Sequence, residues 1–119
     1  MASIRPLLEA LVPEVQAEAR RALSGFLTGA LVRGYLPQAW VFETGEETVT
    51  FLVDREGNAR VFEGAPEAPD VGIRGPSGDL AAVLRDRRLP EGAGQRIEYR
   101  LYTGKGGTAW RLLKDRFGF

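Results

Sequence analysis

The residue types that most often perform catalysis are scarce in this chain. Its 119 residues include no histidine and no cysteine, which removes the commonest general base, the commonest metal ligand and the thiolate nucleophile. The serines are Ser3, Ser24 and Ser77, and no histidine exists to activate any of them. Acid–base chemistry would have to rely on Asp, Glu, Lys or Tyr side chains. We therefore expect no catalytic residue, no metal site and no cofactor.

A glycine-rich segment with one lysine, Thr103 to Thr108, suggests a phosphate-binding loop. A Walker phosphate loop needs a glycine where Tyr99 stands and a Ser or Thr where Gly106 stands, so that motif is absent. The backbone N–H groups of Gly106 and Gly107, beside Lys105, could still hold a carboxylate or phosphate head group at a helix N-terminus. The alternative is a flexible turn between a strand and a helix.

Composition and charge narrow the class of protein. Hydrophobic residues make up 44% and charged residues 27%, an ordinary soluble globular balance. The net charge is zero, so we expect no nucleic-acid partner. Residues 74–119 carry a net charge of +5, which forms either an ordinary solvated face or a basic rim for an anionic head group or an acidic partner. No signal peptide and no uncharged run of transmembrane length is visible, so we expect a cytoplasmic protein that does not span a membrane. Many arginines and few asparagines favour a thermophilic source.

Helical spacing dominates residues 1–36, which we expect to form a helical segment packed on a sheet. A short helix is followed, from Pro13, by apolar residues that recur at helical spacing for four turns. This pattern predicts one long helix whose apolar face includes Phe26, Leu27 and Leu31. Gly25 and Gly29 lie within it, and because glycine destabilises a helix by roughly 1 kcal/mol, we expect a close approach of another helix or of a ligand there.

Alternating apolar residues and turn signals predict strands between Gln38 and Arg74 and again near Tyr99. A helix is predicted from Ser77 to about Arg88, and a last helix at the C-terminus. Each strand has one apolar face, so the predicted fold is α+β: a single mostly antiparallel five-stranded sheet with helices covering one face, in one domain over residues 1–119.

This order resembles the sterol carrier protein type-two family of lipid-binding domains. The similarity rests on a strand with an early Asp, a closing glycine, a capped helix and a return strand. Those features are Asp70-Val71-Gly72-Ile73, Gly75, Asp79-Leu80, Val83-Leu84 and the strand from Ile97 onwards. In the family a lysine usually opens the return strand, whereas here Lys105 follows the strand, so we expect the region that closes the ligand tunnel to differ.

The resemblance implies a non-catalytic carrier with an apolar tunnel between sheet and helices, whose ligand is a fatty acid, an acyl-CoA or a sterol-like molecule. Nine apolar side chains are expected to converge on that tunnel: Phe26, Leu27, Leu31, Phe51, Ile73, Leu84, Tyr99, Trp110 and Leu113. Lys105, Gly106 and Gly107 are expected to bind the head group at its mouth, with an arginine from Arg85–Arg88.

The main alternative is a protein–protein interaction module or homodimeric subunit with a filled core. A small acyl-handling enzyme using Asp or Tyr is a more distant one.

Overall fold

The computed structural model describes residues 3–119. The helices are α1 Arg5–Glu9, α2 Val12–Ser24, α3 Thr28–Arg33, α4 Ser77–Asp86 and α5 Gly104–Phe117. The strands are β1 Gln38–Glu43, β2 Thr48–Val53, β3 Ala59–Glu63, β4 Val71–Arg74 and β5 Glu98–Leu101. A short 3-10 turn, Ala93–Gln95, precedes β5.

The five strands form one sheet in the order β3-β2-β1-β4-β5. Neighbours β1–β2, β2–β3 and β4–β5 are antiparallel, whereas β1 and β4 run parallel. Helices α1 and α2 contact β3, and α5 contacts β1, β4 and β5. The predicted α+β class, with a mostly antiparallel five-stranded sheet and helices against it, is confirmed.

The part of the core between the sheet and α5 contains a cluster of aromatic rings. Trp40 on β1 lies opposite Phe51 on β2 and Val71 on β4, so all three side chains share one face. The ring of Phe117, near the end of α5, lies 4.9 Å from that of Trp40 and 5.2 Å from that of Phe51. Such ring pairs add stability beyond the area that they bury. They fix α5 over the inner face of the sheet.

The prediction of one long helix after Pro13 is wrong, because the chain bends at Gly25. Helix α2 ends at Ser24, and Gly25 has extended backbone angles, φ −69° and ψ 138°. A Cβ atom on Gly29 would overlap the carbonyl oxygen of Leu23. Glycine therefore allows the start of α3 to lie against the end of α2. The close contact joins two parts of the segment predicted as one helix, whereas the prediction was an approach by another helix or a ligand. The bend changes which side chains of α3 face the sheet.

The unit from β4 to α4 is architectural. Ile73 is 1% exposed on β4, and Leu80 and Leu84 are 0% and 2% exposed on α4. The chain turns at Gly75, where a Cβ atom would lie 3.0 Å from Cγ1 of Ile97. This unit fills the core beside α1, which contacts α4.

Candidate apolar ligand site

An open cleft of about 320 Å³ lies between α2, α3, the inner face of β1 and β2, and α5. Its lining is predominantly apolar. The apolar lining residues are Val15, Ala19, Ala22, Val32, Leu36, Trp40, Phe51, Val53, Ala109, Leu112, Leu113 and Phe117. Its volume falls at the lower end of the range of about 300–1,000 Å³ typical of small-molecule sites.

The cleft stays open because small side chains stand where larger ones would fill it. Helix α2 packs on β3, while α5 packs over β1, β4 and β5. The inner face of β2 therefore lies between the two helices, and Phe51 and Val53 form its floor. Ala19 and Ala22 of α2 and Ala109 of α5 line the space. Alanine is a favourable residue in a helix, and its methyl group is too short to fill a cleft of this size.

The charged groups at the cleft compensate one another. The guanidinium of Arg116 lies 3.2 Å from Oε2 of Glu18 and 3.6 Å from Oε1 of Glu14. Arg116 and Glu18 both line the cleft. An anionic ligand would have to compete with two carboxylates for this arginine, so the pair provides little net attraction for an anion.

Gln38 also lines the cleft, and its side-chain amide makes three hydrogen bonds within the protein. Its Nε2 donates to the carbonyl oxygens of Tyr35 and Lys105 at 2.7 Å and 3.0 Å, and its Oε1 accepts from Nε1 of Trp40 at 2.9 Å. These bonds tie the end of α3, β1 and the start of α5 together. Gln38 therefore shapes the cleft wall, and its two N–H donors are not free for a ligand.

The predicted convergence of nine wall residues on one space is wrong for most of them. Phe51 and Leu113 line the cleft. Phe26, Leu27 and Leu31 are 96%, 76% and 69% exposed, because the bend at Gly25 turns them outward. The side chains of α3 and its following turn that line the cleft are Val32, Tyr35 and Leu36.

The remaining four predicted wall residues lie in or beside the solid core. Ile73 and Leu84 are buried away from the cleft lining. Trp110 is 8% exposed, and its ring packs 5.4 Å from that of Trp40. Tyr99 lies near the edge of the sheet, 4.9 Å from the ring of Trp110, and partial burial raises the pKa of its hydroxyl.

Lys105 lies among partners that give it a structural role. Its ammonium group is 3.6 Å from Oδ1 of the buried Asp70 and donates a hydrogen bond to the carbonyl of Pro37. Asp70 also accepts hydrogen bonds from the Ala39 N–H at 2.9 Å and the Thr103 hydroxyl at 2.7 Å. This network joins β1, β4 and α5 where the three meet.

The glycines beside Lys105 use their N–H groups for the helix cap. The Gly106 N–H donates to Oγ1 of Thr103 at 2.9 Å, and the Gly107 N–H donates to the Thr103 carbonyl at 3.0 Å. None of Lys105, Gly106 and Gly107 lines the cleft, and neither does any residue of the Arg85–Arg88 cluster. The predicted placement of a head-group site at the mouth of the ligand space is therefore wrong. Sequence patterning missed the Asp70 contact because the partners lie 35 positions apart.

Replacing Lys105 by Met is expected to lower the free energy of unfolding by about 1–2 kcal/mol, because Asp70 and Pro37 each lose a donor. Denaturant unfolding followed by circular dichroism measures this loss. The affinity for a fatty acid and for the matching fatty alcohol should change by the same factor. A selective loss of fatty-acid binding would restore the head-group role of this lysine.

No family model matches the sequence, and no curated protein matches it. Among solved structures, the crystal structure of sterol carrier protein 2 like 2 from Aedes aegypti is similar, with a TM-score of 0.50. The two sequences are 18% identical, and the match covers 94% of this chain and 98% of that one. The chain has a sterol-carrier-like fold. At this identity the similarity establishes the arrangement of helices and strands.

Two other features are absent from residues 3–119. No helix in that range is long and apolar enough to cross a membrane. No group of three or more acidic residues there is placed to hold a metal ion.

Proposed function

We propose that this protein binds a narrow apolar ligand, such as a single acyl chain, in the cleft between α2, α3, the sheet and α5, and carries it without chemical conversion. The observation that supports the proposal is the apolar cleft of about 320 Å³ whose charged groups are paired within the protein. The sterol-carrier-like fold supports it too, because the similar solved protein is named sterol carrier protein 2 like 2.

The size of the cleft favours a chain over a bulky ring system. At about 320 Å³ it is small for a ligand site. A flexible chain can follow the groove along Val53 and Phe51 towards Leu113, whereas a fused ring system needs width. The gain in free energy comes from apolar area removed from water, about 25 cal/mol per Å².

The polar end of the ligand is expected to remain at the opening. Arg116 is already paired with Glu18 and Glu14, and both N–H donors of the Gln38 amide are used within the protein. Recognition therefore depends on the apolar part, and a fatty acid and the fatty alcohol of the same chain length should bind with affinities within about threefold of each other.

Replacing Ala22 by Phe is expected to weaken ligand binding by about tenfold or more, because the new ring would occupy the cleft that Ala22 leaves open. The matched control is Ala30→Phe, which adds the same ring to an exposed position of α3 outside the lining. Binding is measured by titration with the fluorescent fatty acid cis-parinaric acid, and displacement by an unlabelled fatty acid and fatty alcohol.

The proposal predicts saturable binding for the unmodified chain and for Ala30→Phe, and weakened binding for Ala22→Phe. Equal binding by all three proteins would place the ligand elsewhere. Absence of saturable binding in the unmodified chain would refute carriage of a fatty chain.

A further inference from the structure

Strand β5 forms an open edge of the sheet with its backbone groups available for pairing. β5 is the last strand in the order, next to β4 alone. The Tyr102 N–H donates to the Asp70 carbonyl at 2.9 Å, across to the start of β4. In an antiparallel pair, hydrogen-bonded positions alternate along the strand. The backbone groups of Tyr99 and Leu101 therefore point away from β4, towards the free edge.

The sequence of β5 is complementary to itself in the antiparallel direction. When two copies are aligned with Tyr99 opposite Tyr99, Glu98 of each copy lies opposite Arg100 of the other, and Leu101 lies opposite Ile97. The outward backbone groups of Tyr99 make it a hydrogen-bonded position in this alignment. The Glu98–Arg100 pairs then occupy the non-hydrogen-bonded positions, where facing side chains lie closest.

The charges on this edge lack partners within a single copy. Among residues 3–119, the side chains of Glu98 and Arg100 take part in no hydrogen bond or ion pair. Nearby charges behave differently: Arg96 binds Asp79 through hydrogen bonds of 2.7 Å and 3.0 Å. The inner side of the edge is apolar, with Tyr99 39% and Leu101 45% exposed.

We propose that two copies of this chain associate through β5, antiparallel and centred on Tyr99, so that their sheets join into one. The proposal is independent of the apolar cleft, which lies on the far side of β1 from β5 and stays open in such a dimer. A strand of four residues buries little area, so the dimer is weak and depends on concentration. The two ion pairs and the two-fold symmetry set its register.

A cross-linking experiment tests the register directly, because the chain contains no cysteine of its own. Full-length Glu98→Cys and Arg100→Cys variants are prepared separately, then mixed and oxidised. In the proposed pairing the two new thiols face each other with Cα atoms about 4.5 Å apart, within the range that a disulfide spans. The remaining Glu98–Arg100 pair is intact in the mixed dimer.

The expected result is a disulfide-linked dimer in the mixture and little in either variant alone. In each variant alone the equivalent positions lie diagonally, about 7–8 Å apart, which is beyond disulfide range. Equal cross-linking in the mixture and in the separate variants would indicate random collision and overturn the proposal. Absence of cross-linking in the mixture would overturn it as well.

A charge reversal tests the same pairing without a covalent bond. Arg100→Glu sets Glu98 opposite a second carboxylate, so the dimer dissociation constant from sedimentation velocity should rise about tenfold or more. The double change Glu98→Arg with Arg100→Glu should restore dimerisation, and Arg55→Glu, on the exposed hairpin turn between β2 and β3, should leave it unchanged. A monomer at every concentration, or a dimer unaffected by Arg100→Glu, would refute the β5 interface.

Discussion

Replacing Leu84 by Ala is expected to lower the free energy of unfolding by about 2–5 kcal/mol and to leave ligand affinity unchanged. Leu84 is 2% exposed in α4, beside Leu80 and Val83, which are fully buried. None of the three lines the apolar cleft. The substitution removes packed methyl groups and leaves a void in the solid part of the core. Denaturant unfolding and titration with cis-parinaric acid measure the two quantities on the same protein.

Leu113→Ala is the matched comparison, with the same change of side chain at a position that lines the cleft. Leu113 is half-buried on α5, and one side of it faces open space. Its truncation should cost about 1 kcal/mol of stability, since fewer packed contacts are lost, and should weaken ligand binding. If Leu84→Ala weakened binding as much as Leu113→Ala, the ligand space would extend under α4, contrary to the proposed site.

Replacing Gly106 by Ala is expected to destabilise the protein by about 3 kcal/mol. A Cβ atom at this position would overlap the Asp70 carbonyl oxygen and lie 2.8 Å from its carbonyl carbon. Because the obstacle is backbone in a buried strand junction, α5 or the start of β4 must move. That movement would also disturb the bonds from Asp70 to Ala39 and Thr103.

Gly107→Ala provides the control one residue further along the same helix. Its Cβ atom would meet Cδ1 of Leu101 at 3.6 Å, an ordinary contact. Alanine favours a helix over glycine by up to about 1 kcal/mol, so this variant should be as stable as the unmodified chain or more stable. Thermal and denaturant unfolding distinguish the two. Similar losses for both variants would show that neither glycine is required by the contact with Asp70.

Gly106 and Gly107 are adjacent in the sequence, but the fold excludes a side chain at Gly106 alone. From the sequence, Gly106 and Gly107 were equivalent donors for a head group beside Lys105. The structure separates them, because Gly106 lies against a backbone carbonyl 36 positions earlier in the chain and Gly107 does not. Such a contact leaves no trace in local periodicity, turn chemistry or charge.

Local periodicity predicted the elements of this protein well. Alternation placed Trp40 and Phe42 on one face of β1 and Val49 and Phe51 on the same face of β2, and the strand register agrees. In the short first helix, helical spacing puts Ile4 and Leu8 on one apolar face, and both are buried. These features follow from the sequence alone because the side-chain direction in a strand or helix repeats every two or 3.6 residues.

The tertiary structure decided where the cleft lies and which side chains line it. The extended conformation of Gly25 interrupts a helical pattern that is continuous in the sequence, and this exposes Phe26 while turning Val32 to the cleft. The ion pair of Lys105 with Asp70 and the parallel pairing of β4 with β1 join segments that are distant in the chain. Such contacts depend on the packing of several elements at once, so the sequence of one segment does not specify them.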